Sequence, residues 1–138
     1  MTNGNSAVVN WSEFSQARAQ LGPEFIRILG YFREDGVKSI HAIEEAMRRQ
    51  DATALVRPAH TLKGESLQFG AQALGLLAEH IEYVARRCVE MRTAPDELME
   101  SVVRLRALFD ETMALFDGET ATPVGAVRRP VVFGRKAG

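Results

Sequence analysis

The chain has 138 residues, of which 46% are hydrophobic and 25% charged, and its formal net charge is −1. This length and composition predict one globular domain, and the balanced charge gives no global attraction to nucleic acid or to a membrane surface. No segment has the ~20 apolar residues of a membrane span, and the N-terminus lacks a signal-peptide pattern. We therefore expect a cytoplasmic protein, in which the single cysteine, Cys88, is a buried thiol.

The first part of the chain predicts two helices. Asn10 and Glu13 have the spacing of a capping box, which opens a short helix that ends before Pro23. The next helix carries an apolar stripe over residues 25–47, interrupted near Gly36. The pattern therefore predicts either one long bent helix or two shorter pieces.

The rest of the chain predicts three more helices. Asp51 is a good N-cap for the first of them, and Pro58 either kinks this helix or lies in its first regular turn. Apolar residues at helical spacing over 74–88 and 98–116 predict the other two. Four long amphipathic helices joined by short loops indicate an all-α fold, an antiparallel up-down four-helix bundle with a short additional N-terminal helix.

The composition also divides the chain. Residues 1–9 are interpreted as a flexible N-terminus and residues 10–117 as the bundle, which we expect to be a monomer. Residues 118–138 contain Gly and Pro, and they carry four basic residues with no acid after Glu119. This composition predicts a flexible basic tail, although the apolar run 131–133 could instead dock on the bundle.

The segment from Ala59 to Gly70 carries most of the chemical information. At about 100° per residue, His60, Lys63 and Gly64 share one helix face with Leu67. The apolar stripe of the same segment points roughly the opposite way; it consists of Leu55, Ala59, Leu62, Ser66 and Phe69. The histidine is therefore predicted to face solvent while the far side of its helix packs on the core.

The neighbours of this histidine suit phosphoryl chemistry. A neutral imidazole nitrogen is a nucleophile near pH 7, and Lys63 can place an ammonium beside a phosphoryl group carried on His60. Gly64 lies almost directly over the histidine, where a side chain would obstruct an approaching partner. Because glycine costs about 1 kcal/mol relative to alanine inside a helix, close approach of another molecule is a good reason for it.

The segment from Ala59 to Glu82 resembles the signature of histidine phosphotransfer (HPt) domains. The matching positions are His60, Leu62, Lys63, Gly64, Ser66, Gly70, Leu74, Ile81 and Glu82, and the resemblance extends from about Asn10 to Phe116. Two positions depart from the pattern, because Glu65 and Leu67 stand where small residues are usual. Both lie near the reactive face, so the departures bear on the choice of partner.

The resemblance implies a function. His60 would accept a phosphoryl group from the aspartyl phosphate of a receiver domain and pass it to another receiver. The partners would be receiver domains of response regulators or hybrid histidine kinases, which would supply Mg²⁺, whereas this chain would need no cofactor or metal of its own. The sequence has no phosphate-binding loop and no kinase signature, so a phosphoryl carrier without autonomous ATP-dependent kinase activity is expected.

Glu82 and five docking residues complete the predicted site. Glu82 can accept the ring N–H of His60 and leave the other nitrogen as the nucleophile. Arg86, one helical turn after Glu82, forms a helix-stabilising ion pair or contacts a partner. Val56 and Leu67 are either the rim of the core or an exposed docking patch. We assign Gly64, Leu67, Val56, Glu65 and Arg86 to partner docking.

Two other functional classes compete with this interpretation. The first is a helical-bundle interaction module that binds a signalling partner without carrying phosphate, and phosphorylation of His60 would distinguish it. The second is a small metal- or cofactor-binding bundle enzyme. The sequence shows neither zinc-ligand spacing nor the inward Glu and Glu-x-x-His pairs of such bundles, which argues against this second class.

Overall fold

The computed structural model describes residues 8–121, and within this range all regular structure is helical. The helices are α1 (Trp11–Leu21), α2 (Phe25–Arg48), α3 (Ala52–Gln68), α4 (Gln72–Met91) and α5 (Met99–Thr120). One turn of 3₁₀ helix precedes α2 at Gly22–Glu24, and another precedes α5 at Asp96–Leu98. The predicted all-α class is confirmed.

The four long helices form a square around one core. Helix α3 packs against α2 on one flank and α4 on the other, and α5 closes the square by packing against both α2 and α4. Short connections make sequential neighbours antiparallel, which is the up-down topology. Helix α1 covers one end of the bundle, where Phe14 lies 4.7 Å from Phe116 and 5.3 Å from Phe25 between ring centroids. The predicted bundle with a short N-terminal helix is confirmed.

Helix α2 is one continuous helix through the interruption near Gly36. A Cβ atom at Gly36 would lie 2.4 Å from Cε1 of Phe109 on α5. The glycine therefore lets the Phe109 ring approach the α2 backbone closely, which is a packing reason for a residue that disfavours helices. Of the two alternatives from the sequence, the single long helix is correct.

Helix α3, which carries His60, starts where its cap predicts and continues through its proline. The Asp51 side chain accepts a hydrogen bond of 3.1 Å from the Ala54 backbone N–H. Pro58 lies inside the helix, where its missing N–H removes one backbone hydrogen bond. The first turn of α3 is thus at Ala52, and Pro58 is an interior residue one half-turn before His60.

The turn between α3 and α4 is fixed against α1. Gly70 has φ +77°, and a Cβ atom there would lie 2.6 Å from the Asn10 carbonyl oxygen, so only glycine fits. The Asn10 N–H donates to the Gly70 carbonyl at 2.8 Å, and its side chain accepts from the Glu13 N–H at 3.1 Å. The turn that joins α3 to α4 is thereby anchored on the chain that leads into α1.

Two observations adjust the predicted domain limits. Val8 and Val9, assigned to the flexible N-terminus, are buried in the core, because two adjacent apolar side chains find a packing site beside the bundle. Helix α5 continues to Thr120, past the limit at 117. The remainder of the predicted basic tail, including residues 131–133, lies outside the described residues.

Candidate functional site

His60 projects from the middle of α3 into solvent. Its side chain is 61% exposed, whereas Ala59 and Leu62 on the opposite side of the helix are completely buried. Ser66 is also fully buried, as its place in the apolar stripe predicts. The imidazole is therefore accessible to a second macromolecule while the helix that carries it is held rigidly by the core.

A buried carboxylate from the neighbouring helix contacts the exposed ring. Glu82 on α4 has only 8% of its side chain exposed, and its Oε2 lies 3.0 Å from Nδ1 of His60. The two residues come from different helices and are 22 positions apart in the chain. Their contact depends on the register that the Gly70 turn imposes on α3 and α4.

Two further cations bind the same carboxylate. Lys63 Nζ lies 3.0 Å from Oε1 of Glu82. Arg86 binds Oε2 with two nitrogens, Nη2 at 2.8 Å and Nε at 3.0 Å. The lysine is partly covered and the arginine is exposed, so the carboxylate is screened from water by three side chains that converge on it.

The charge of Glu82 follows from these contacts. Burial alone would raise the pKa of its carboxyl group, but contacts with Lys63, Arg86 and His60 outweigh burial and lower the pKa to about 2. Glu82 is therefore ionised at neutral pH, and an ionised carboxylate can only accept hydrogen bonds. Nδ1 of His60 consequently carries the proton, and Nε2 presents its lone pair to solvent.

Gly64, one turn beyond His60, leaves open space above the ring. A Cβ atom at this position would meet no atom of the described residues within 4 Å. The position thus differs from Gly36, where Phe109 requires the glycine. Packing within the described residues therefore does not explain the glycine at position 64.

The predicted apolar docking residues lie on either side of the histidine along α3. Leu67 is 40% exposed and rests on Gly75 of α4, where a Cβ atom would lie 2.5 Å from its Cδ2. Val56 is half-buried against the core and lines a surface groove with Arg57 and Arg86. Both residues are placed where a partner that contacts His60 would also contact them.

Glu65 lies on the opposite flank of α3 from the other predicted site residues. Its half-buried carboxyl group faces Asp35 of α2, and Oε1 has no hydrogen-bond partner among the described residues. Burial, together with the hydrogen bond and negative charge of Asp35, raises the pKa of Glu65 to about 7. The structure therefore places Glu65 at the contact between α2 and α3, away from the flank that carries Glu82.

The contacts of Asp35 and Gly75 were not identified from the sequence. Asp35 marked only an interruption in a helix, and Gly75 carried no signal. Each of them contacts a residue of a neighbouring helix. Such contacts depend on how the two helices are rotated and aligned, which no local sequence pattern reveals.

Three further observations concern metal ligands, membrane spans and the cysteine. Residues 8–121 contain no group of three His, Cys, Asp or Glu side chains that could hold a metal ion. None of the helices in this range combines the length and apolarity needed to cross a membrane. Cys88 is buried, and its Sγ lies 3.7 Å from the Ala94 carbonyl oxygen.

Solved structures show the same fold. Histidine-containing phosphotransfer protein B (HptB) from Pseudomonas aeruginosa PAO1 superposes with a TM-score of 0.70 at 23% identity, covering 83% of this chain and 95% of that one. The HPT domain of the Hpt sensor hybrid histidine kinase from Shewanella gives a TM-score of 0.68 at 16% identity, covering 83% and 94%. No curated protein sequence matches the chain.

The family assignment comes from the sequence itself. A family model described as the Hpt domain matches residues 27–114, which include His60, Lys63, Gly64, Glu82 and the helices that carry them. This match covers more than half of the chain. The chain, with its four-helix bundle and exposed histidine, therefore belongs to the histidine phosphotransfer (Hpt) domain family.

Proposed function

We propose that Nε2 of His60 accepts a phosphoryl group from the aspartyl phosphate of a receiver domain and passes it to the aspartate of another receiver. One observation supports this most strongly. Nδ1 of the 61% exposed imidazole lies 3.0 Å from the ionised carboxylate of Glu82. The ring is thereby held in one tautomer and orientation, with the nucleophilic nitrogen directed outward.

The transfer step balances without a separate base. The lone pair of Nε2 attacks phosphorus, the N–P bond forms, and the bond from phosphorus to the aspartyl oxygen breaks to release a carboxylate. Because Nδ1 keeps its proton, the phosphorylated ring gains positive charge. Glu82 then stabilises that charge, as an ionised carboxylate does for an imidazolium in other enzymes. The reverse step returns the phosphoryl group to a receiver by the same path.

Lys63 has a role at the phosphoryl oxygens. In the resting protein its ammonium is paired with Oε1 of Glu82 at 3.0 Å. A phosphoryl group on Nε2 brings three anionic oxygens next to this cation, which can then stabilise the charge that develops during transfer. The receiver would supply Mg²⁺, since phosphoryl transfer depends on neutralising the charge of the transferring group.

The docking surface follows from the same geometry. A receiver that brings its aspartate to Nε2 must approach over Gly64, where the described residues leave open space. Leu67 and Val56 would then contribute apolar contacts on the two sides of His60. Receivers of response regulators and of hybrid histidine kinases are the partner class that such a surface fits.

The test uses receiver domains carrying a labelled aspartyl phosphate, incubated with the wild-type chain and with His60→Gln. We expect the wild type to become labelled, with an acid-labile and alkali-stable bond typical of a phosphoramidate. The folded His60→Gln variant should remain unlabelled, with an unchanged circular dichroism spectrum.

Label that persists in folded His60→Gln would contradict the assignment of the nucleophile. Receivers that bind the wild type tightly but never label it would instead support the interaction module without phosphate transfer.

A further inference from the structure

We infer that a basic groove beside His60, between the first half of α3 and the last half of α4, binds an acidic surface of the receiver partner. This inference rests on the proposed function and extends it to the kind of receiver that the site selects. The groove, called here the arginine groove, is lined by Arg49, Arg57, Arg86, Arg92, Val56 and Val89.

The arginine groove is continuous with the phosphotransfer site. Its inner part, of about 510 Å³, is lined by Val56, Arg57 and Arg86, and Arg86 is the residue that binds Glu82 at 2.8 Å. Its outer part, of about 430 Å³, shares Val89 with the inner part and continues to the loops at the end of the bundle. A partner seated over His60 would therefore extend into this groove.

Three of the four arginines of the groove differ from most others in the described chain. Six arginines form ion pairs with acidic side chains: Arg27, Arg33, Arg48, Arg86, Arg87 and Arg106. Arg49, Arg57 and Arg92 are exposed and form no ion pair within residues 8–121. Three unpaired guanidinium groups along one groove provide ready-made partners for carboxylates, which arginine binds with two parallel hydrogen bonds.

The acids of the groove do not cancel this charge. Asp51 and Glu90 also line it, but they face four arginines. One oxygen of Asp51 is engaged in capping α3 through the Ala54 N–H. The excess of positive charge makes an acidic partner surface the complementary one, and it argues against a second copy of the same groove.

Arg92 gives an independent indication. It caps the C-terminus of α4 with φ 57° and ψ 45°, in the left-handed region where glycine is the usual residue. Gln50 has a similar conformation, but its side chain donates to Asp96 at 2.9 Å, which is a structural reason for a non-glycine residue. No such bond is formed by the Arg92 side chain within the described residues. A non-glycine residue therefore occupies this strained position because its side chain binds an external partner.

The experiment compares Arg92→Gly, the double variant Arg49→Glu/Arg92→Glu and a control, Arg104→Glu. Arg104 is exposed on α5, outside the groove, and it also lacks an ion pair in the described range. The probes are isolated receiver domains that carry either an acidic or a basic surface beside their phosphorylatable aspartate. Association rates are measured at low salt and at about 0.5 M salt, where charge interactions are screened.

We expect the double variant to slow association with acidic receivers about 10-fold at low salt and to have little effect at high salt. Arg104→Glu should leave the rate unchanged. Arg92→Gly should slow association while keeping or raising the melting temperature, because glycine relieves the left-handed strain. Opposite effects on stability and association cannot result from partial unfolding.

The outcomes separate this inference from the proposed function. Phosphoramidate, a small phosphoryl donor, tests the reactivity of His60 without docking, and all variants should react with it equally. The inference about the arginine groove alone would be overturned if reactivity and transfer were normal but association rates did not change with the arginine substitutions or with salt. A change of oligomeric state in the double variant would also overturn it, because the groove would then be an interface between copies of this chain.

Discussion

The two flanks of α3 hold glutamates in opposite electrostatic settings. On the α4 flank, Glu82 is contacted by Lys63, Arg86 and His60, and these contacts outweigh its burial to lower its pKa to about 2. On the α2 flank, burial and the neighbouring carboxyl group of Asp35 raise the pKa of Glu65 to about 7. Glu82 is the more buried side chain and yet the stronger acid.

The comparison shows that charged partners, rather than burial, decide the state of a carboxyl group in this bundle. The α4 flank keeps a permanent negative charge next to Nδ1 of His60 and surrounds it with cations that can receive phosphoryl oxygens. On the α2 flank, none of the cations among residues 8–121 contacts Glu65, and burial beside Asp35 favours its protonated form. The proposed phosphoryl chemistry therefore lies on the α4 flank, and on the α2 flank we expect a contribution to stability that depends on pH.

Apart from the loss of His60 itself, the largest effect is expected at Gly64, above the histidine. Gly64→Gln should slow transfer from a receiver about 100-fold, because a displacement of the reacting groups by about 1 Å has a cost of this order. Stability should stay unchanged or improve slightly, since glycine is a poor helix former. Stopped-flow transfer kinetics and thermal unfolding measure the two quantities.

Gly30 on α2 provides the matched control. A Cβ atom there also meets nothing within 4 Å among the described residues, and the position is on another helix. Gly30→Gln should show the same effect on stability and no effect on transfer. Equal transfer rates for Gly64→Gln and wild type would show that partners do not approach the glycine.

The next effect is expected at Glu82 and tests the α4 flank directly. Glu82→Ala should slow phosphoryl transfer about 10- to 100-fold, because the imidazole loses the group that orients it and fixes its tautomer. Glu82→Gln should retain most of the hydrogen bond to Nδ1 and lose only the charge, so its rate should be intermediate. Rapid-quench measurement of labelled His60 gives the rates.

Glu65→Gln is the matched variant on the α2 flank and should transfer at the wild-type rate. If Glu65→Gln and Glu82→Ala slowed transfer equally, the assignment of phosphoryl chemistry to the α4 flank alone would be wrong.

The smallest effect concerns stability against pH on the α2 flank. The pKa of Glu65 is about 7 in the folded chain, against an ordinary value of 4.5. Between these values the folded state binds more protons than the unfolded state, so this group makes stability fall as pH rises. After allowance for solvent screening at a half-exposed position, we expect a loss of roughly 1 kcal/mol between pH 5 and pH 8.

Urea unfolding of the wild type and of Glu65→Gln at these two pH values measures the loss. The variant should lose less stability than the wild type, and Asp35→Asn should act in the same direction. Glu82, with its pKa at about 2, contributes no such slope in this range. Identical pH profiles for wild type and Glu65→Gln would show that Glu65 is ionised throughout.

Local patterns in the sequence predicted the features that one helix or one turn determines. The face of His60 and the helix caps at Asn10 and Asp51 all follow from residues close in the chain. The contact between Glu82 and His60 was anticipated from the family signature and the predicted helices. The sequence left open whether α3 continues through Pro58. The helix does continue, because packing along its whole length outweighs one lost hydrogen bond.

Contacts that cross from one helix to another could not be predicted in the same way. The pairing of Glu65 with Asp35, and the support of Leu67 by Gly75, depend on the rotation and register of neighbouring helices. For the same reason the sequence assigned Glu65 to partner docking, whereas the structure places it at the contact between α2 and α3. A rotation of about 140° from His60 turns its carboxyl group toward α2.

The most direct test of the proposed mechanism is to identify which nitrogen of His60 carries the phosphoryl group. We would phosphorylate ¹⁵N-histidine-labelled protein from a receiver and record ¹⁵N and ³¹P NMR spectra of His60. The account predicts phosphorus bonded to Nε2 and, in the unphosphorylated protein, a proton on Nδ1. A phosphoryl group on Nδ1, or a resting ring protonated only at Nε2, would contradict the role of Glu82 and with it the proposed mechanism.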